Sequence, residues 1–263
     1  MIRESPLDDP RLAAAPFFPR PDSAWGSDAP GAYDHVHEVD GASIRLRVFP
    51  GPADAPAILF FHGNGETARD YDSAAADYCA LPTTLVVADY RGYGPSTGSP
   101  SMRTFLFDAA RSLQEAKTLL AADGRSGPLV VMGRSLGSAP AIDLAANHPD
   151  VVKGLVVESG FANAIPLLER LGIPARKLGM TEADGPKSLR KMELVAIPTL
   201  ILHAEQDHII PIGEAELLCA ACRDPGKRLV RVASAGHNDI QMRAGRSYFD
   251  SIRVLLGRVN SGR

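Results

Sequence analysis

Short runs of consecutive apolar residues recur along the chain, separated by stretches whose apolar positions follow helical spacing. Ala57-Ile58-Leu59-Phe60-Phe61, Thr84-Leu85-Val86-Val87-Ala88, Leu129-Val130-Val131-Met132, Leu155-Val156-Val157 and Thr199-Leu200-Ile201-Leu202-His203-Ala204 are five such runs. Each is too short for a helix and too uniformly apolar for a half-wet strand, so each predicts a strand covered on both faces. Between them, Phe105, Leu106, Ala109, Ala110, Leu113, Ala116 and Leu120 trace one helical stripe, and Tyr248, Phe249, Ile252, Leu255 and Leu256 trace another near the end. Strand and helix alternating in this way predict an α/β fold with a mostly parallel sheet and helices on both faces. From His35 to Phe49 the pattern changes. Ile44, Leu46 and Val48 alternate with Ser43, Arg45 and Arg47, which predicts an antiparallel edge pair with one wet face. Arg228–Val232 predicts a last short strand.

Two segments fall outside the alternation. Residues 1–32 carry Pro6, Pro10, Pro16, Pro19, Pro21 and Pro30 and read as an extended arm on the surface, where little chemistry is expected. Residues 33–263 then form one domain. Inside it, residues 161–195 hold scattered apolar positions, among them Leu167, Leu168, Leu171 and Leu178, with prolines and a Thr181-Glu182-Ala183-Asp184-Gly185 loop. They fit either a small cap over a site or a crossover helix with a long loop.

Composition narrows the function classes. A chain of 263 residues, 45% hydrophobic, buries a sizeable core. A formal charge of −3 with both signs interspersed offers no basic face for nucleic acid. No apolar run approaches the ~20 residues that cross a bilayer, and the first residues lack an export signal, so a soluble cytoplasmic protein is expected. Three cysteines make no disulfide framework. Cys219 and Cys222 form a Cys-x-x-Cys pair, but their flanks read as an apolar helix face and favour structural thiols. His35 and His37 share a strand face without carboxylate or cysteine company nearby. Neither a metal nor a cofactor is expected.

The candidate chemistry sits where strands end. Leu129–Met132 stops in Gly133-Arg134-Ser135-Leu136-Gly137, followed at once by a helical stretch from Ser138. Strand, Gly-x-Ser-x-Gly, helix is the pattern of a nucleophile elbow, in which the serine adopts a strained backbone and the residues two before and two after must lack bulk. The turn exposes the Ser135 hydroxyl and aims the Leu136 N–H at an oxygen gaining negative charge. The run 57–61 ends in His62-Gly63-Asn64-Gly65, a Gly-rich turn that offers the Asn64 N–H as a second donor to the same oxygen. Asp89-Tyr90-Arg91-Gly92-Tyr93-Gly94-Pro95 misses the spacing of a dinucleotide fingerprint. The run 199–204 leads to Asp207, and the strand 228–232 leads to Ala235-Gly236-His237-Asn238-Asp239. Ser135, Asp207 and His237 therefore stand in the order serine, acid, histidine on three strand ends. Glu158 also ends a strand and is the rival acid. His208, His62, His148 and His203 read as turn, loop, helix-end and strand residues.

Those motifs, together with Ile209-Ile210-Pro211, resemble the α/β-hydrolase superfamily, serine branch, from about residue 35 to the end. They are similar to the subgroup of small esterases that includes membrane-tethered depalmitoylating thioesterases. The chain departs from that subgroup in lacking a lipid-anchor Cys cluster and a membrane helix at its start, which argues against a palmitoyl-protein substrate. The resemblance implies an α/β-hydrolase fold with a small cap and hydrolysis of a small-molecule ester or thioester through an acyl-enzyme on Ser135. His237 would carry the proton and Asp207 would orient the imidazole. A peptidase of the same fold and a non-catalytic binding protein are the alternatives. A serine at the elbow excludes a dehalogenase, which needs a carboxylate there.

Overall fold

The computed structural model describes residues 14–27 and 29–261. Eight strands, β1 (Tyr33–Val39), β2 (Ala42–Phe49), β3 (Ala57–Phe61), β4 (Thr84–Ala88), β5 (Leu129–Arg134), β6 (Val152–Glu158), β7 (Thr199–Ala204) and β8 (Arg228–Val232), form one sheet among the described residues. Their order is β1-β2-β4-β3-β5-β6-β7-β8. β1 and β2 are antiparallel to their neighbours and the rest are parallel. The α-helices among the described residues are α1 (Ala75–Cys79), α2 (Met102–Ala122), α3 (Ser138–Asn147), α4 (Ala164–Arg170), α5 (Ser188–Met192), α6 (Ile212–Ala221), α7 (Ile240–Ala244) and α8 (Arg246–Ser261).

The apolar runs are buried on both faces because each serves two cores. Leu59 and Phe61 of β3 join Val86, Val131 and Leu155 under α2, α3 and α6, whereas Ile58 and Phe60 join Val87, Met132 and Leu202 under α1 and α8. The two-residue period of a strand divides the side chains in this way. Each such Leu, Ile or Phe contributes about 1.5–3 kcal/mol of transfer free energy on burial.

β2 departs from the expected wet face. Arg45 and Arg47 are 1% and 0% exposed, because β2 lies inside the sheet and the segment before β1 covers it. Arg45 Nε donates to Asp89 (2.7 Å) and Arg47 binds Asp34 (2.7 Å) and Asp72 (3.0 Å). Arg45 Nη1 also donates to the Ala24 carbonyl oxygen (3.3 Å) and Arg47 Nη2 to that of Gly26. An alternation with arginine at every second position thus encodes a row of buried ion pairs.

The parallel strands end level. Phe61 is paired with Gly133, Arg134 with Glu158, Glu158 with Leu202 and Ala204 with Val232, so the turns that follow them share one rim. The elbow is fixed there by backbone contact. A Cβ on Gly133 would lie 2.0 Å from the Gly137 carbonyl oxygen, and one on Gly137 would lie 2.0 Å from that of Phe61. Only hydrogen at both positions lets the turn close and seat against β3. Above this rim, the backbone N–H groups of Ala162 and Asn163 donate to Glu214 of α6 (2.9 Å each), and those at the start of α4 donate to Glu182 (2.8 Å each). Carboxylates at a helix start satisfy otherwise unpaired N–H groups.

Gly137→Ala is expected to cost at least about 3 kcal/mol of unfolding free energy or to prevent folding, because the added carbon would clash with the backbone of Phe61 and His62. Gly213→Ala, in α6 with nothing within 4 Å of the added carbon, should be neutral or stabilising by up to about 1 kcal/mol. Urea unfolding of the two variants checks both.

Candidate active site

Ser135 follows β5 with φ +52°, a left-handed conformation rare for a residue with a side chain. The strain is held by the packing of Gly133 and Gly137 just described. The Ser135 hydroxyl donates to His237 Nε2 at 2.9 Å, and His237 Nδ1–H donates to Asp207 Oδ2 at 2.7 Å. This assigns the Nδ1–H tautomer, which leaves Nε2 as the acceptor a serine proton needs.

Asp207 lies in the turn after β7, where its other oxygen accepts the N–H groups of Ile209 (2.9 Å) and Ile210 (2.8 Å). Burial would push its carboxyl up, but the hydrogen bond and charge of His237 and the Ile210 N–H outweigh this and hold it below the ordinary aspartate value. Glu158, the rival acid, is occupied elsewhere. It accepts from Arg134 Nε (3.2 Å) and from the Tyr248 hydroxyl (2.6 Å), and burial pushes its carboxyl above the usual range despite both partners.

Ser135, Leu136, Asn64 and His237 line one cavity of about 250 Å³. Its walls are mostly apolar, with Met102, Phe105, Phe161, Leu167, Leu168, Leu171 and Ile209. His35 and His37 lie far along the chain from these groups and bind Glu115 (2.7 Å) and Ser112 (3.2 Å). Cys219 and Cys222 are free thiols at the end of α6. Among the described residues no group of three His, Cys, Asp or Glu is arranged to hold a metal ion, and no helix is long and apolar enough to cross a membrane.

Known proteins share this architecture. Residues 53–180 match the family described as serine aminopeptidase, S33. The α/β hydrolase domain-containing protein WAV2 of Arabidopsis thaliana is 30% identical over 81% of this chain and 74% of its own length. This chain belongs to the α/β-hydrolase family. An uncharacterized protein of Mycobacterium tuberculosis, Rv2307c, is 32% identical to the hydrolase over 91% of this chain and 85% of its own. The Pyrococcus furiosus esterase Pf2001 has the same fold with a TM-score of 0.73 at 14% identity, covering 90% of this chain and 98% of that one.

Three parts of the hydrolase's site were missed in the sequence. Arg134, the second residue of the Gly-x-Ser-x-Gly motif, pairs with both Glu66 and Glu158 and donates to the His237 carbonyl oxygen and to Asn238 Oδ1 at 3.0 Å each. One guanidinium thereby ties the turn after β3, the end of β6 and the histidine loop to the elbow. His203 is more than a strand residue. Its Nε2–H donates to the Ile210 carbonyl oxygen (2.8 Å), bracing the turn whose N–H groups hold Asp207, and burial pushes its pKa down. Pro16 and Phe18 line the cavity, so the N-terminal segment takes part in the site where little chemistry was expected. An arginine inside the elbow was a readable signal, since only paired charge is kept beneath a site. The other two carried no local one.

Arg134→Met strands two carboxylates and should lower unfolding free energy by about 3–5 kcal/mol at neutral pH. Carboxyls left in a buried site without their cation have raised folded-state pKa values, so the loss should shrink at low pH and grow as pH rises through them. Denaturant titrations of wild type and variant at pH 5 and pH 8 measure this; an equal loss at both pH values would count against it.

Proposed function

We propose that this hydrolase is a serine esterase or thioesterase working through an acyl-enzyme on Ser135. The observation that carries the reading is the pair of contacts from Ser135 Oγ to His237 Nε2 (2.9 Å) and from His237 Nδ1 to Asp207 Oδ2 (2.7 Å), opening on an apolar cavity. Ser135 Oγ attacks the substrate carbonyl carbon while its proton passes to His237 Nε2. Asp207 then faces an imidazolium, whose charge it stabilises. The carbonyl π electrons move to oxygen, and the N–H groups of Asn64 and Leu136 receive that oxyanion, at roughly 3 kcal/mol per donor. Collapse of the tetrahedral adduct expels an alcohol or thiol, which takes the proton from His237. Water repeats the sequence on the acyl-enzyme and releases the acid.

The cavity volume lies just under the ~300–1,000 Å³ of ordinary small-ligand pockets. With Leu167, Leu168 and Leu171 from the 161–195 segment on its wall, it suits a short to medium apolar acyl chain, with that segment acting as a cap. The family description favours a second reading, an aminopeptidase. Such an enzyme needs a carboxylate free to hold the substrate ammonium, and the cavity's one carboxylate among the described residues, Glu66, is bound by Arg134, the Gly63 N–H (2.7 Å) and the Tyr71 hydroxyl (2.7 Å). The ester reading is therefore preferred.

A series of p-nitrophenyl esters, acyl thioesters and aminoacyl p-nitroanilides tests the proposal. Ester or thioester turnover should peak at short to medium acyl length and fall about a thousandfold or more in Ser135→Ala. Dominant turnover of the anilides would make the enzyme a peptidase. Failure of a fluorophosphonate probe to label Ser135 would make the fold a binding scaffold.

A further inference from the structure

The Asn64 carboxamide is engaged on every side by groups outside its own loop. Its Oδ1 accepts the Phe18 N–H (2.8 Å) and the Tyr93 hydroxyl (2.7 Å), and its Nδ2 donates to the Pro16 carbonyl oxygen (2.8 Å). The Tyr93 oxygen in turn accepts from Phe18 N (3.0 Å) and from the Gly65 N–H. Further along the same segment, Arg20 binds Thr67 Oγ1 (3.0 Å) and Asp70 (2.6 Å), while its carbonyl oxygen accepts the Gly94 N–H (3.0 Å). Phe17 anchors the segment, buried edge-on against Phe105 with ring centroids 5.4 Å apart.

We infer that the N-terminal strap, residues 16–22, is a working part of the active site: it fixes the turn that presents the Asn64 N–H and closes one wall of the acyl cavity. The inference rests on the reading of that N–H as an oxyanion donor. Its physical reason is the composition of the turn. Asn64 stands between Gly63 and Gly65, the latter at φ +75°, and peptide units flanked by glycine rotate at little cost. A donor stabilises a developing charge only if it is already aimed, because reorienting it during reaction consumes the gain. The glycines leave room for close backbone approach and supply little rigidity of their own; the Gly63 carbonyl oxygen of the same peptide unit accepts from His62 Nδ1 (2.8 Å) and from the Glu66 N–H (3.2 Å), and the hold from outside the loop comes through the Asn64 side chain. That side chain is held by the strap and by Tyr93, which the strap also contacts. Pro16 and Phe18 meanwhile line the cavity, so the element that aims the donor also touches the acyl chain.

Two variants loosen the strap without touching the proposed nucleophile, base or acid. Phe17→Ala removes the anchor, whose side chain does not line the cavity, and Tyr93→Phe removes only the hydroxyl at the centre of the clamp. Steady-state kinetics with p-nitrophenyl acetate and octanoate at 25 °C, together with amide hydrogen exchange of residues 62–67, read the result. The expected outcome for acetate is a kcat lower by about tenfold or more with KM changed by less than about threefold. Exchange in 62–67 should quicken in both variants, and KM for octanoate should rise in Phe17→Ala as the wall loosens. A strap that merely adds stability would lower the melting temperature and leave kcat of the folded variants at the wild-type value, which overturns the inference. Either variant suffices if the other fails to fold. Loss of the underlying reading looks different: a wild-type protein without Ser135-dependent turnover would remove the oxyanion assignment and the strap's role together.

Discussion

A single half-buried cation, Arg134, organises the rim of the sheet. The turns after parallel strands have no hydrogen-bonded ladder to hold them to one another, and four of them must stay in register here. Arg134 supplies the missing link, because a planar guanidinium with five donors can bind two carboxylates and two oxygens of a third loop at once. Lysine could not, having a compact ammonium with no fork geometry. The histidine loop depends on this most. His237 lies on neither β8 nor α7, and its carbonyl oxygen is bound to Arg134 while its ring bridges Ser135 and Asp207.

The same rim shows where strain resides and what maintains it. Ser135 holds a left-handed backbone that relaxation of the turn would remove. Relaxation is blocked because Gly133, Gly137 and the end of β3 are in backbone contact, and β3 is itself buried between two cores. Stability generated by the apolar strands is thus what keeps an unfavourable geometry in place at the one position where reactivity is proposed.

Much of the architecture was legible in the sequence, and the reasons can be stated residue by residue. Runs such as Ile58-Leu59-Phe60-Phe61 are readable because burial on both faces leaves no polar position to confuse the period. Gly-x-Ser-x-Gly is readable because a backbone clash forbids anything larger at its two ends. The turn carrying Asp207 could be placed because the apolar run before it is distinct, and the turn carrying His237 because the short strand Arg228–Val232 leads into Ala235-Gly236. Arg45 and Arg47 misled, since alternation reports only that two faces differ and a buried ion pair mimics a wet one. Glu158 stayed open as an acid because strand-end position alone cannot reveal that Arg134 and Tyr248 occupy it. The roles of Pro16 and Phe18 were invisible for a related reason: contacts spanning 46 residues to Asn64 leave no periodic trace in either segment.

One cavity whose walls include Phe18 near one end of the chain and Asn238 near the other has a consequence for biosynthesis. A ribosome delivers these residues in order, and β7 and β8 are the last strands to pair at their side of the sheet. Every nascent intermediate shorter than about residue 240 lacks the imidazole that contacts Ser135, so on the proposed mechanism the growing polypeptide passes through translation chemically silent. Long sequence separation among paired parts also slows folding, and the proposed centre becomes complete only when the loop bearing His237 has docked.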